Sequence, residues 1–146
     1  MENPDWVYFD TSLFVKLFVR ETGTAEAIDW ARGRRIFSSA ILLTECFSAL
    51  ARKREEGVLS PKSYRELADR IREGARSVEI VQVVSEILQA SEEIALGGSA
   101  RAVDALHIAS ALAIQRRISS TLPFLTADRR QAGAARASGL DARLIP

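Results

Sequence analysis

With 146 residues, 47% of them apolar, and a formal net charge of +1, the chain is long enough for one globular domain over 1–146 and too short for two comfortable ones. Its acidic, polar start, MENPDW, predicts no secretory leader. Lys16, Glu45 or Asp104 interrupts each long apolar stretch before the roughly 18 residues of a spanning helix, so a cytoplasmic protein with no membrane partner is expected.

In chain order, Val7 to Phe9 reads as a short strand ending in Asp10-Thr11-Ser12, any of which can cap a helix over about Leu13 to Val19. Gly23-Thr24 restarts a helix over Ala25 to Arg32, and Arg35 to Ser38 is β-prone. A long helix follows from about Ala40 to Glu56, stopped by Gly57, with Cys46 as a core thiol that has no disulfide partner. Ser60-Pro61 opens another helix, in which Tyr64, Leu67, Ala68 and Ile71 recur at helical spacing. Val78 to Val84 reads as a strand, and Ser85 caps a helix to Leu96 that Gly97-Gly98 terminate. A very apolar helix covers Ala100 to Ile118, and Pro123 starts a fourth strand, Phe124 to Thr126. A helix from Asp128 to Ala137 then ends at Gly139, before a fifth strand, Ala142 to Ile145.

Strands this short and apolar, alternating with helices, predict an α/β fold: a central parallel sheet of about five strands with helices on both faces, in three α/β/α layers. Sites in such sheets form outside the carboxyl ends of the strands. Asp10 and Asp128 occupy such positions, and their strands can lie side by side although 118 positions separate the two acids.

Four acids stand in apolar surroundings: Asp10 after WVYF, Glu45 within AILLTECFSAL, Asp104 within RAVDALHIASAL, and Asp128 after PFLTA. Buried unpaired carboxylates cost several kcal/mol each, so the group calls for a shared cation or basic partners. One His and one Cys exclude soft zinc ligation, whereas carboxylates suit Mg2+ or Mn2+. Individually each acid has a plainer reading. Asp10 and Asp128 can be helix caps, Glu45 a surface residue, and Asp104 the partner of Arg101 or His107. Jointly, two acids at strand ends and two near the starts of apolar helices project into one crevice, where mutual repulsion raises their pKa values unless a divalent ion binds. With these four set aside the remaining charge is +5, and 17 of the 20 basic residues are Arg, which favours an anionic partner.

The segments YFDTSLFVKLF, SSAILLTECFSAL, RAVDALHIASAL and FLTADRRQAGAARASGL together resemble the PIN-domain ribonucleases, most closely the VapC-type toxins of toxin–antitoxin modules. The resemblance covers nearly the whole chain and implies a PIN-like fold and a Mg2+- or Mn2+-dependent endoribonuclease leaving 5′-phosphate and 3′-hydroxyl ends. Its four acidic positions match Asp10, Glu45, Asp104 and Asp128. On this reading Asp10, Asp104 and Asp128 are the first-choice ligands, while Glu45 positions a water or serves a second ion. Thr11, Ser12 and Thr126 match hydroxyl positions beside the acids, with capping or turn formation as the plainer alternative. His107 belongs to a helix motif and reads as a packed core residue. The resemblance also implies an RNA substrate, a VapB-type antitoxin partner and a homodimer. Lys16, Arg20, Arg129 and Arg130 are candidate RNA contacts, with solvated surface charge as the alternative.

Rival readings remain open. A phosphotransferase forming an aspartyl-phosphate needs a second Asp two positions after the first, where this chain has Ser12. A receiver domain needs an acidic pair and a late Lys, and neither is present. A PIN nuclease of general RNA processing without an antitoxin, or a non-cutting PIN-like scaffold, completes the set.

Overall fold

The computed structural model describes residues 5–146, so the first four residues of the polar start lie outside it. Five strands, β1 (Trp6–Phe9), β2 (Arg35–Ser39), β3 (Val78–Val81), β4 (Pro123–Thr126) and β5 (Asp141–Leu144), form one sheet in the order β3-β2-β1-β4-β5, every pair parallel. Seven helices connect them: α1 (Thr11–Lys16), α2 (Thr24–Ala31), α3 (Leu42–Glu55), α4 (Pro61–Ala75), α5 (Ser85–Leu96), α6 (Ala102–Ile118) and α7 (Arg129–Ala137).

The alternation of side chains along β1 and β4 divides the core in two. Val7, Phe9 and Leu125 pack with α1 to α4, whereas Tyr8 and Phe124 pack with α5 to α7 on the other face. The expected three-layer α/β/α arrangement is therefore present. From β1 the chain builds outward to β2 and β3 on one side, then returns to place β4 and β5 on the other. The sheet order reverses between β1 and β4, and the crevice at their carboxyl ends is where an α/β sheet accepts a ligand.

Several element boundaries differ from expectation for local reasons. β3 stops at Val81 because its neighbour β2 supplies no partner beyond Ser39. Val84 rather than Ser85 occupies the cap of α5, without a side-chain bond. Helix α3 begins two residues later than the sequence suggests, since the Ala40 amide still donates to the Val81 carbonyl at 2.9 Å and the Ile41 amide to Ser39 Oγ at 3.3 Å. Helix α1 starts earlier, directly after Asp10, and ends at Lys16 in tight turns from Leu17 to the Phe14 carbonyl and from Phe18 to that of Val15.

Gly74, inside α4, makes a close approach to the ring of Phe18. A Cβ there meets Phe18 Cζ and lies 2.8 Å from Cε1, and that ring also packs tilted against Phe14 at 5.1 Å. Ala ordinarily improves a helix interior by about 1 kcal/mol over Gly. Here overpacking reverses the sign, and Gly74→Ala is expected to lower unfolding stability by about 1–2 kcal/mol in urea titration. A gain would show that the Phe18 ring moves aside without cost.

Candidate active site

Asp10 leaves the end of β1 and caps α1. Its Oδ1 accepts from the Leu13 amide at 3.0 Å and the Ser12 hydroxyl at 2.6 Å, and Oδ2 accepts from the Thr126 hydroxyl at 2.6 Å. Ser12 Oγ in turn accepts from the Ala127 amide at 2.9 Å, and Thr126 Oγ1 from the Asp128 amide at 3.0 Å, so the ends of β1 and β4 are stitched together through side chains. Asp128 caps α7, accepting from the Arg130 amide at 2.9 Å and the Gln131 amide at 3.4 Å. Capping and placement at the crevice are thus combined in both aspartates.

Glu45 lies in the first turn of α3 and Asp104 in the first turn of α6, helices on opposite faces of the sheet. They meet beyond the strand ends. Asp10, Glu45, Asp104 and Asp128, with Thr11, Ser12, His107 and Gln131, line one cavity of about 110 Å³. The four acids are not equally buried, contrary to the sequence expectation: Asp10 is 2% exposed, Glu45 and Asp104 are half-buried, and Asp128 is exposed. The polar helix starts and the open rim of the cavity keep the last three wet.

His107 is 1% exposed and forms the cavity wall. Its Nε2 lies 2.7 Å from Glu45 Oε1, its Nδ1 2.8 Å from Tyr8 Oη, and the Thr11 hydroxyl donates to the same Glu45 oxygen at 2.5 Å. An ionised Glu45 only accepts, so Nε2 carries a proton, and Nδ1 shares its hydrogen bond with the Tyr8 phenol. Burial holds that phenol well above its ordinary pKa and so keeps it a donor. Among the described residues Asp104 makes no ion pair, which removes the expected alternative of Arg101, and His107 is committed to Glu45 rather than to Asp104.

The electrostatics separate the acids. Burial raises the pKa of Asp10, although His107, Ser12, Thr126 and the Leu13 amide oppose it. Asp104 is raised by desolvation and then by the charges of Asp128 and Asp10. Glu45 is pushed up by burial, but the hydrogen bond and charge of His107 and the Thr11 hydroxyl outweigh this and leave it below its ordinary value. An ionised Asp104 therefore costs stability above its raised folded pKa, and the cost fades as pH falls through that pKa toward the ordinary value near 3.9. In EDTA, Asp104→Asn is expected to raise Tm at pH 7 and to lose that advantage on acidification. A pH-independent difference would show that repulsion is not its source.

The candidate RNA contacts divide. Lys16 is 5% exposed and tied to Glu21 Oε1 at 3.2 Å and the Thr22 carbonyl at 2.6 Å, so its ammonium serves the fold. Arg20, Arg129 and Arg130 are exposed. The sequence reading missed Arg52 and Lys53 of α3, which line a groove of about 310 Å³ that shares Thr11, Ser12 and Glu45 with the acidic cavity. Their spacing of seven and eight residues from Glu45 puts them two turns along the same helix. Gln131 was also missed; its signal was a lone polar residue among the buried positions Ala132, Ala134 and Ala135 of α7.

Among the described residues, no three His, Cys, Asp or Glu side chains are drawn together closely enough to hold an ion as they stand. The donor chemistry nonetheless fits a hard cation: the acids offer carboxylate oxygens only, and Asp10 and Asp104 flank one small cavity. Among the described residues no helix is long and apolar enough to cross a membrane.

Known proteins are similar to this chain in sequence and in fold. Ribonuclease VapC45 and ribonuclease VapC49, from two strains of Mycobacterium tuberculosis, are each 36% identical over 115 residues, spanning 74% of this chain and 76% of theirs. Among solved structures, a toxin–antitoxin complex from Klebsiella pneumoniae superimposes with a TM-score of 0.65 at 16% identity, covering 96% of this chain and 98% of that one. Mycobacterium tuberculosis VapC20, a sarcin-ricin loop cleaving toxin, gives 0.64 at 20% identity over 94% of this chain and 98% of its own. At those identities the structures speak to the fold. The sequence pattern of the PIN domain matches residues 7–137, and with relatives this similar the chain belongs to the PIN domain family, among its VapC-type members.

Proposed function

We propose that this protein is a Mg2+- or Mn2+-dependent endoribonuclease and the toxin of a VapBC-type pair. The observation that carries the reading is the convergence of Asp10, Glu45, Asp104 and Asp128 on one cavity at the reversal point of the sheet. Relatives named ribonuclease at 36% identity support RNA as the substrate, and the structural similarity to proteins solved as toxin–antitoxin complexes supports a VapB-type antitoxin.

Asp10, Asp104 and Asp128 hold the cation, directly or through water, and the carboxylate of Asp10 is oriented for this by Ser12 and Thr126. A bound Mg2+ or Mn2+ supplies charge stabilisation at a phosphoryl oxygen and activation of the attacking water. Glu45 is fixed through Oε1 by Thr11 and His107, which leaves Oε2 as the acceptor that would orient a water in the cavity. Its lowered pKa suits orienting the O–H rather than retaining the proton. Arg52 and Lys53 receive the RNA backbone in the adjoining groove. The homodimer has a physical support in the apolar cleft of Ile80, Val81, Val84 and Ile87 at the free edge of β3, where Ile80 and Val84 are exposed.

Sequencing of RNA ends after induction of wild type and Asp10→Asn in parallel tests the reading. Wild type is expected to generate new 5′-phosphate ends that the variant does not; the same ends in both would overturn it.

A further inference from the structure

Gln131 is 3% exposed, on the first turn of α7, and its amide reaches into the acidic cavity. In the orientation that satisfies both ends of the amide, the nitrogen donates to Asp10 Oδ2 at 2.8 Å and to Asp104 Oδ1 at 3.2 Å. One NH2 group thus joins carboxylates from the end of β1 and from α6. Among the described residues no Lys or Arg does so: the lining they form contains only the four acids, two hydroxyls, His107 and Gln131.

A carboxylate offers about four lone-pair sites. Those of Asp10 are filled, by the Ser12 hydroxyl and Leu13 amide on Oδ1 and by the Thr126 hydroxyl and Gln131 on Oδ2. Ser12 and Thr126 are also acceptors for backbone amides of the β4 to α7 turn, and Leu13 belongs to the α1 cap, so withdrawing any of these three unmakes local structure. The Gln131 side chain has no such second task at Asp10. It is the donor that can leave.

From this we infer that Gln131 is a neutral placeholder for the cation: its amide protons gather Asp10 and Asp104 when no ion is bound, and a divalent ion would be held by the same two carboxylates once the amide withdraws. The inference rests on the proposed metal-dependent reading of the site. It makes Gln131 a positioning residue that acts on metal affinity through the metal-free state. An interaction present only without the ion opposes ion binding, so its loss tightens binding by the amount it stabilised the free protein.

The test is calorimetric titration of Mn2+ into the full chain, wild type against Gln131→Met, a swap that keeps side-chain length without the donors. The variant is expected to bind Mn2+ about tenfold more tightly, which is about 1.4 kcal/mol, and to melt lower than wild type in EDTA but level with it in saturating Mn2+. Unchanged or weaker binding, or a Tm deficit that persists in Mn2+, would overturn the placeholder role while leaving the metal site in place. A wild type that takes up no Mn2+ removes both this inference and the reading beneath it. The wild-type protein gives a measurement independent of any variant: Mg2+ is expected to shift the Gln131 side-chain NH2 resonances in 15N spectra, and unmoved resonances at saturation would equally overturn the proposal.

Discussion

Purified Asp10→Asn is expected to cleave RNA roughly 10³-fold more slowly than wild type in Mg2+ or Mn2+, a loss of about 4 kcal/mol in transition-state stabilisation. The fold should survive, because each of the four donors around Asp10 has an alternative. The Asn oxygen keeps Ser12 and Leu13, the Thr126 hydroxyl can rotate to accept from the new amide, and the Gln131 side chain can turn its oxygen inward. The charge whose burial raised the Asp10 pKa is also gone. Cleavage of a labelled RNA, with circular dichroism of both proteins and EDTA as a control, gives the answer. Retention of activity with an intact spectrum would remove Asp10 from the reaction.

The largest expected stability effect lies one layer behind the cavity. Phe124 is fully buried and stacks on Tyr8 with ring centroids 5.2 Å apart and planes 9° from parallel. Phe124→Ala should cost about 4 kcal/mol from lost burial and the cavity left behind, a large share of the ~5–15 kcal/mol that holds a domain together. It also removes the ring that backs Tyr8, whose phenol holds His107 at 2.8 Å and, through it, Glu45. Urea unfolding midpoints at unchanged m-value measure the loss. Val58, 65% exposed, is the control, and Val58→Ala should move stability by less than about 0.5 kcal/mol. A comparably small change at Phe124 would contradict the packing described for β4.

The order and type of the elements were legible because strand and helix periods alternate cleanly, and Asp10 and Asp128 could be set at strand ends from WVYFD and PFLTAD alone. Degrees of burial were not. Asp128 stands in an apolar context in the sequence but on the exposed start of α7, whereas Lys16, which reads as a surface charge, is folded under by Glu21 and the Thr22 carbonyl. The partners across the sheet were equally hidden. Tyr8 and His107 are 99 positions apart and His107 and Glu45 are 62 apart, distances at which periodicity carries no information. Gln131 escaped notice because a single amide in an Ala-rich helix has the look of a solubilising residue until α6 and β1 are brought beside it.

The cavity takes Glu45 from one helical layer and Asp104 from the other, and its two strand-end acids come from near the beginning and the end of the chain. Domains emerge from the ribosome amino terminus first. A nascent chain that has made β1, β2 and α3 holds Asp10 and Glu45 but lacks the second layer and Asp128. On the proposed reading, the four acids of the site meet only once synthesis has passed α7.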